Sequence, residues 1–394
     1  MTREFIDFVN AHQDEDTARL LLSAARYPDI DMPSAVQQIE GLQTAREKWP
    51  SLLQCEQFLY PPRLNREQAS SEETARYKAG SQKQPPGSVA DLTGGMGIDS
   101  IAFAQTDAQV DYVERNETLC ALMKHNCDAL GLKNIGVHCG DSMEWLAATD
   151  RHFDLLFIDP ARRSASGRKV AAFEDCEPNI LQHMELLRSR CRRLMVKASP
   201  MIDIDLACRQ LGDVAEVHIV SVKGECKEVL FICGGHEGET LLHCIIYERQ
   251  DGFRHYGFTR REEAAAEARH CTAVGRYLYE PDAALMKGGP FNLICQWMNL
   301  EKLAPNSHLY TSDHLADDFP GRTFLVQQEV ALNRKSLKTA IPDGKAHVVT
   351  RNYPVAAADL QRQLGLKEGG DHFVIATTVG THRTGFLCQK VHKE

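Results

Sequence analysis

The sequence predicts an α/β protein whose central part is a doubly wound sheet of seven strands. Two observations predict this class. Between residues 88 and 233, apolar strand-like runs alternate with helical segments, which is the pattern of a mainly parallel sheet with helices on both faces. The last two runs are joined by the short link Lys223-Gly224-Glu225-Cys226, which leaves no room for a crossover helix, so these strands must pair antiparallel.

The elements of this central part follow in chain order. Strands are predicted at residues 88–93, 109–114, 134–138, 153–158, 192–198, 214–221 and 227–233. Helices are predicted between them at residues 98–106, 117–130, 142–148, 177–190 and 203–211.

Four domains are predicted. Residues 1–80 form a helical cap domain, because apolar residues recur there at helical spacing and prolines divide the segment. Residues 81–235 hold the sheet. A small α+β domain covers 236–321, and a second α+β domain with the order βαβαββ covers 322–394.

Shorter signals place individual elements in the outer domains. Ser70 and Glu73 have the spacing of a capping box at the start of the last helix before the sheet, which would end at Gly80. In the third domain the pattern predicts a hairpin of 241–247 with 253–258, then a helix at 262–268.

Composition excludes several classes of protein. The chain has 394 residues, 43% of them hydrophobic, and no apolar run long enough to span a bilayer. Because the N-terminus lacks a signal-peptide pattern, a cytoplasmic location is expected. The thirteen cysteines include no C-x-x-C pair, which favours buried free thiols and predicts no metal site.

Charge is distributed unevenly along the chain. The formal net charge is −9, so the whole chain is no general binder of polyanions. Residues 321–394, however, carry eleven Lys or Arg against six Asp or Glu, a local net charge of +5. A nucleic-acid partner would use such a basic region, although a solvated surface explains it equally well.

The most informative stretch follows the first strand and reads Ala90-Asp91-Leu92-Thr93-Gly94-Gly95-Met96-Gly97-Ile98-Asp99. Three glycines within four residues let the backbone approach a ligand, and the next helix offers free N–H groups. The spacing is neither G-x-G-x-x-G nor a phosphate loop. The acidic Asp91 suits a ligand with an amine or a sulfonium, and a glycine turn without a ligand is the alternative.

Other strand ends carry polar residues where a doubly wound sheet binds its ligands. Glu114 ends the second strand and has the position of an acid that accepts hydrogen bonds from both ribose hydroxyls. Asp141 follows the third strand, where it caps the next helix, accepts from an adenine amino group, or does both.

The fourth strand ends in Phe157-Ile158-Asp159-Pro160-Ala161-Arg162-Arg163. Asp-Pro stiffens the backbone at the point where a second substrate would lie. Asp159 would hold an exocyclic amine or a ring nitrogen. Arg162 and Arg163 would hold a phosphate or the face of a base. The alternative is an Asp-Pro turn followed by a solvated basic loop.

The ordered set of these features resembles the Rossmann-like class I S-adenosylmethionine (SAM) methyltransferases over residues 88–233. More narrowly, the whole chain resembles a bacterial group with a C-terminal THUMP-like domain. That resemblance rests on 68–79, Asp159-Pro160-Ala161-Arg162-Arg163, Tyr279-Glu280-Pro281-Asp282 and Asn352-Tyr353-Pro354. It implies SAM as cofactor, S-adenosylhomocysteine as product, ferredoxin-like and THUMP-like modules, and an RNA substrate.

The resemblance also implies roles for particular residues. The expected cofactor contacts are Asp91, Thr93, Gly94, Gly95, Gly97 and Asp99 around the glycine turn, Glu114 and Asn116 at the ribose, Asp141 and Ser142 at the adenine, and Thr74 and Lys78 from the preceding helix. The expected catalytic set is Asp159, Pro160, Arg162 and Arg163.

Two departures from better-known RNA methyltransferases narrow the chemistry. Ala161 and Arg162 stand where amino-group methylases carry an aromatic residue that stacks on a flipped base. Val196-Lys197-Ala198-Ser199-Pro200 lacks the cysteine that uridine C5 methylases need after the fifth strand. Direct transfer without a covalent intermediate is therefore predicted. The resemblance implies that the acceptor is a base nitrogen of structured RNA, tRNA or rRNA. The alternatives are methylation of a small molecule or protein, and a non-catalytic module that binds SAM or RNA.

Overall fold

The computed structural model describes residues 2–82, 84–162, 173–235, 238–248 and 252–391. Two compact units make up the chain. The first comprises Met1–Val217 and Lys227–Gly238, and the second comprises His218–Cys226 and Glu239–Glu394. The predicted domain boundaries after residues 80, 235 and 321 stay predictions.

The first unit contains a helical N-terminal segment and a mainly parallel sheet. Its helices are α1 (Arg3–Ala11), α2 (Thr17–Leu22), α3 (Met32–Lys48), α4 (Arg63–Gln68), α5 (Glu72–Gly80), α6 (Ile98–Ala104), α7 (Glu117–Leu130), α8 (Ser142–Ala148), α9 (Met184–Ser189) and α10 (Ile204–Leu211). Its strands are β1 (Ser88–Asp91), β2 (Gln109–Glu114), β3 (Ile135–Cys139), β4 (Phe153–Ile158), β5 (Ala161–Arg162), β6 (Cys176–Glu177), β7 (Cys191–Ala198) and the parts of β8 (Val214–Val222) and β9 (Glu225–Cys233) that belong to this unit.

The strand order in this unit is β8-β9-β7-β4-β1-β2-β3. Strands β1, β2, β3, β4 and β7 run parallel, whereas β9 runs antiparallel to β7. The register places Asp91 opposite both Tyr112 and Phe157, so the carboxyl ends of β1, β2 and β4 lie at one edge. The chain reverses direction across the sheet between β1 and β4, which creates the switch point where such sheets bind ligands.

The second unit has one hairpin and one larger sheet. Its elements are β10 (Leu241–Glu248), β11 (Gly252–Phe258), α11 (Arg260–Ala265), β12 (Tyr277–Pro281), α12 (Ala283–Gly288), α13 (Leu293–Met298), β13 (Glu301–Lys302), β14 (Tyr310–Ser312), β15 (Gly321–Val330), α14 (Arg334–Ala340), β16 (His347–Thr350), α15 (Ala357–Leu364), β17 (His372–Val379) and β18 (His382–Lys390). Strands β10 and β11 pair antiparallel, as the sequence predicts. The larger sheet has the order β13-β14-β12-β15-β18-β17-β16.

The predicted βαβαββ order of the last segment is confirmed by β15, α14, β16, α15, β17 and β18. Buried apolar residues of α14 and α15, among them Leu337, Leu360 and Leu364, pack against Val374 and Leu387 of the sheet. Strand β12 pairs with β15, so the two α+β segments of the second unit share one continuous sheet.

Three local predictions differ from the structure. The helix expected at 177–190 is α9, which begins only at Met184, because Pro178 interrupts the segment and Asn179 instead caps a short 3-10 turn. Helix α5 is capped by Ser71 and not by Ser70. Helix α11 begins earlier than predicted, because Thr259 and Glu262 form the capping box.

Among the helices in the described ranges, none combines the length and the apolar character needed to cross a bilayer. Nine of the thirteen cysteines are buried.

Candidate active site

A cavity of about 1050 Å³ lies at the carboxyl edge of the parallel strands of the first unit. Each central strand contributes at least one polar or glycine residue to its wall. These are Gly94 after β1, Glu114 from β2, Asp141 after β3, Asp159 after β4 and Lys197 from β7. The fold thus brings together residues that lie as much as a hundred positions apart in the sequence.

The glycine turn forms one wall of the cavity, with Thr93, Gly94, Gly95 and Gly97 all lining it. Gly97 has a φ of +85°, and a Cβ there would lie 2.4 Å from the Met123 sulfur. A side chain at this position would therefore be strained and would collide with helix α7. The turn brings bare backbone to the cavity, as the sequence predicts.

Glu114 fixes the shape of this wall. Its carboxylate accepts hydrogen bonds from the Gly95 N–H at 2.9 Å and from the Asn116 N–H at 2.9 Å. The Asn116 side chain in turn accepts a hydrogen bond from the Thr118 N–H, in the first turn of α7, at 3.0 Å. Glu114 and Asn116 both line the cavity, so the acid is held in place before any ligand arrives.

The adenine-side candidates also lie on the cavity. Asp141 accepts from the Met143 and Glu144 N–H groups at 2.9 and 3.0 Å, so it caps helix α8. Both hydrogen bonds go to one carboxylate oxygen, Oδ1. Asp141 and the next residue, Ser142, line the cavity.

Asp91 lies beneath the turn and not on the cavity wall. Its side chain is fully buried and accepts from the Thr93 N–H at 3.1 Å and from the Ser100 hydroxyl at 2.6 Å. Burial raises the pKa of Asp91 to about 7, helped by the nearby charges of Asp99 and Asp159 and opposed by the two hydrogen bonds. The geometry makes Asp91 a support of the turn.

Asp159 lies where the fourth strand opens into the cavity. Its N–H donates to the Thr93 hydroxyl at 2.7 Å, which ties the ends of β4 and β1 together. Its carboxylate forms an ion pair with Lys197 at the end of β7. Pro160 and Ala161 also line the cavity. The backbone of Arg162 belongs to β5, whereas Arg163 lies outside the described residues.

The two candidates from the preceding helix, Thr74 and Lys78, are buried and do not line the cavity. The Lys78 ammonium donates to both carboxylate oxygens of Glu228, at 2.8 and 2.9 Å, and to the Ser70 hydroxyl at 3.1 Å. It also lies 3.1 Å from a carboxylate oxygen of Asp99. Lys78 therefore does not reach the cavity itself but contacts Ser70 and Asp99, which do line it.

Three members of this charged cluster were not predicted from the sequence: Ser70, Lys197 and Glu228. One signal was present for Glu228, because it is an acid immediately before the apolar run Val229-Leu230-Phe231-Ile232. Burial raises the pKa of Glu228, although Lys78 and Lys197 oppose that shift. Burial lowers the pKa of Lys197, but its acidic neighbours outweigh burial and raise it overall.

These residues fit the cofactor that the fold implies. SAM has a sulfonium, an amino group, two ribose hydroxyls and an adenine. The cavity offers carboxylates at Asp99, Asp159 and Glu114, and a wall that includes the backbone of Gly94, Gly95 and Gly97. When bound, SAM would supply the methyl group, and the chain would hold and orient it.

Comparisons with known proteins agree with this geometry. Residues 277–320 match a ferredoxin-like domain family, and residues 321–390 match a THUMP domain-like family. A protein of Porphyromonas gingivalis W83, described as a "putative methyltransferase", is 30% identical, with a TM-score of 0.85 over 99% of this chain and 98% of that chain. No protein with a curated description matches the chain.

Two other solved structures are more distant. A SAM-dependent methyltransferase from Neisseria gonorrhoeae is 19% identical, with a TM-score of 0.32 over 44% of this chain and 71% of that chain. One from Agrobacterium tumefaciens is 17% identical, with a TM-score of 0.29 over 47% of this chain and 57% of that chain. The similarity to the P. gingivalis protein spans both chains almost entirely, and this protein therefore belongs to the class I SAM-dependent methyltransferases that carry a C-terminal THUMP-like domain.

Proposed function

We propose that this methyltransferase transfers the methyl group of SAM to a nucleotide of structured RNA, tRNA or rRNA. The observation that carries the proposal is the joining of a methyltransferase cavity to a THUMP-like segment in one chain. THUMP domains are RNA-binding modules, and the segment has a local net charge of +5 in a chain of net charge −9. An RNA substrate is consistent with the cytoplasmic location that the sequence predicts.

The proposed cofactor contacts follow the cavity wall. Glu114 would accept hydrogen bonds from the ribose hydroxyls, because it already stands at the end of β2 with its carboxylate fixed. Asp141 and Ser142 would meet the adenine. Thr93, Gly94, Gly95 and Gly97 would approach the methionine part with backbone atoms, while Asp99, held by Lys78, would attract its amino group.

The acceptor would enter beside Asp159 and Pro160. The sulfonium is already a strong electrophile, so the protein mainly has to align the acceptor atom, the methyl carbon and the sulfur. Two acceptor atoms are compatible with this proposal: the base nitrogen that the Asp-Pro motif predicts, and a hydroxyl oxygen of the ribose. Arg162 and Arg163 follow directly in sequence and remain candidates for contacts with the phosphate backbone.

The exposed lysines of helix α14 provide a test of RNA binding. Lys335 and Lys338 lie one turn apart and are both exposed. In the double variant Lys335→Glu with Lys338→Glu, we expect weaker RNA binding and a salt slope that falls by about one for each phosphate group that the protein no longer neutralises. The control is Lys133→Glu, which reverses an exposed lysine of the first unit.

The function itself is tested by methyl transfer from labelled SAM to total RNA of a strain that lacks the gene, with protein and small-molecule fractions assayed alongside. Label in an RNA species supports the proposal. Label only in protein or in small molecules contradicts it. We expect Asp159→Ala to abolish transfer and leave SAM affinity within a few-fold, while Asp150→Ala, at an exposed acid of the same unit, keeps full activity.

A further inference from the structure

Two lysines and two carboxylates form a continuous charged row next to the acceptor side of the cavity. Asp159 forms an ion pair with Lys197, and Glu228 accepts hydrogen bonds from Lys78 at 2.8 and 2.9 Å; the negative charge of Glu228 also raises the pKa of Lys197. Three of these side chains are almost wholly buried, with exposed fractions of 13% for Lys197, 3% for Glu228 and 0% for Lys78. Charged side chains that lie this close to the proposed acceptor site strongly influence which acceptor atom reacts.

The ammonium of Lys197 discriminates between two kinds of acceptor. A base nitrogen that attacks the methyl group gains positive charge in the transition state, whereas a hydroxyl oxygen that loses its proton gains negative charge. The ammonium of Lys197 attracts the developing negative charge of an oxygen and repels the developing positive charge of a nitrogen. Lys197 therefore opposes a nitrogen acceptor and favours an oxygen acceptor.

Asp159 is placed to accept the proton that a hydroxyl acceptor loses. One carboxylate oxygen of Asp159, Oδ2, is engaged by Lys197, and the residue lines the cavity. Asp159 is 35% exposed, so a proton that it accepts has a path to water. The residue after Pro160 is Ala161, and its methyl group gives a base no ring to stack on.

Building on the proposed RNA methyltransferase function, we propose that the acceptor is a ribose 2′-hydroxyl oxygen, with Lys197 stabilising that oxygen and Asp159 accepting its proton. The O–H bond breaks as the oxygen forms a bond to the methyl carbon, and the S–CH₃ bond electrons return to sulfur. The products are a 2′-O-methyl ribose, neutral S-adenosylhomocysteine and a protonated Asp159, which then releases its proton to water. No other reactant is needed.

Lys78 and Glu228 are positioning residues in this scheme. Glu228 accepts hydrogen bonds from Lys78, which anchors it to helix α5, and its negative charge favours the ammonium form of Lys197. Burial lowers the pKa of Lys197, but Asp159, Glu228 and Asp99 together outweigh burial and raise it. Lys197 is therefore an ammonium at neutral pH and stabilises charge, and the proton goes to Asp159.

The position of the methyl group tests the inference. The full-length protein is incubated with methyl-labelled SAM and RNA from the strain lacking the gene, and the RNA is digested to nucleosides for mass spectrometry. A 2′-O-methyl group also blocks alkaline cleavage at its own nucleotide, which gives an independent readout. Replacing the target nucleotide by its 2′-deoxy form in a synthetic RNA should abolish labelling.

The outcomes are distinct. A labelled ribose confirms the inference, and a labelled base overturns it while leaving the RNA methyltransferase proposal intact. Absence of label in any RNA overturns both.

We expect Lys197→Met to lower the transfer rate about 10²- to 10³-fold with little change in SAM affinity. Lys197→Arg, which keeps the charge, should lose less, and Lys124→Met, at an exposed lysine of α7, should keep full activity.

Discussion

Replacing Asp91 by Asn should make the stability of the protein less dependent on pH. The Asp91 carboxyl group is fully buried under the glycine turn, and burial raises its pKa from an ordinary value near 4 to about 7. In the folded protein it therefore keeps its proton up to near neutral pH, whereas in the unfolded chain it loses that proton near pH 4. An Asn side chain has the same shape and stays neutral at every pH.

The sign and the magnitude follow from proton linkage. Between about pH 4 and pH 7 the folded state binds more protons at Asp91 than the unfolded state, so stability falls as the pH rises, and above pH 7 the loss is complete. From pH 5 to pH 8 these two pKa values give a loss of about 2 to 3 kcal/mol that is specific to Asp91. Asp91→Asn should lack this loss.

Urea unfolding of both proteins at pH 5 and pH 8 measures the effect. Subtracting the free energy of unfolding of the wild type from that of the variant cancels the contributions of all other titrating groups. We expect this difference to be about 2 to 3 kcal/mol more favourable to Asp91→Asn at pH 8 than at pH 5. An unchanged difference would refute the account of Asp91 as a buried, proton-bearing support. A shift in the opposite direction would mean that the carboxylate is stabilised as an anion.

Three further variants test separate parts of the structure. Gly97→Ala should lower the free energy of unfolding by at least about 2 kcal/mol and weaken SAM binding, because its Cβ would lie 2.4 Å from the Met123 sulfur. The control Gly131→Ala has a φ of +69° but open space around the Cβ, so it should cost only about 1 kcal/mol and leave SAM binding unchanged. Glu114→Ala removes the acceptor of two backbone N–H groups and should raise the SAM Kd about 10- to 100-fold by calorimetry, and an unchanged Kd would exclude Glu114 from the cofactor site. Leu337→Ala should destabilise the THUMP-like segment by about 2 to 5 kcal/mol without changing SAM affinity, because Leu337 packs in the core of the second unit and the cavity lies in the first. A loss of SAM binding would contradict this expectation.

The sequence predicted most of the fold because its signals are local. Alternating runs and helical spacing located the seven strands of the core, and the short link after β8 predicted an antiparallel end to the sheet. The pattern of the last seventy residues predicted their order of elements. The helix predicted at 177–190 is longer than the observed α9. Apolar residues continue at helical spacing through Pro178, but proline cannot donate a helical hydrogen bond.

The candidate site was predictable only in part. Strand-end positions predicted that Glu114, Asp141 and Asp159 face one cavity, because parallel strands end at a common edge. The direction of the Asp91 side chain depends on packing within the turn, and the spacing of residues in the sequence does not show it. The pairing of Lys78 with Glu228 joins residues 150 positions apart, and Lys197 is one lysine among many until the fold places it beside Asp159.

The most direct test of an RNA methyltransferase is the modification map of cellular RNA. RNA from the parent strain, from a strain lacking the gene, and from that strain carrying either the wild-type gene or Asp159→Ala is compared nucleotide by nucleotide. We expect one methylated position that disappears without the gene, returns with the wild type and stays absent with Asp159→Ala. Identical maps in all four strains, with SAM binding intact, would contradict the account.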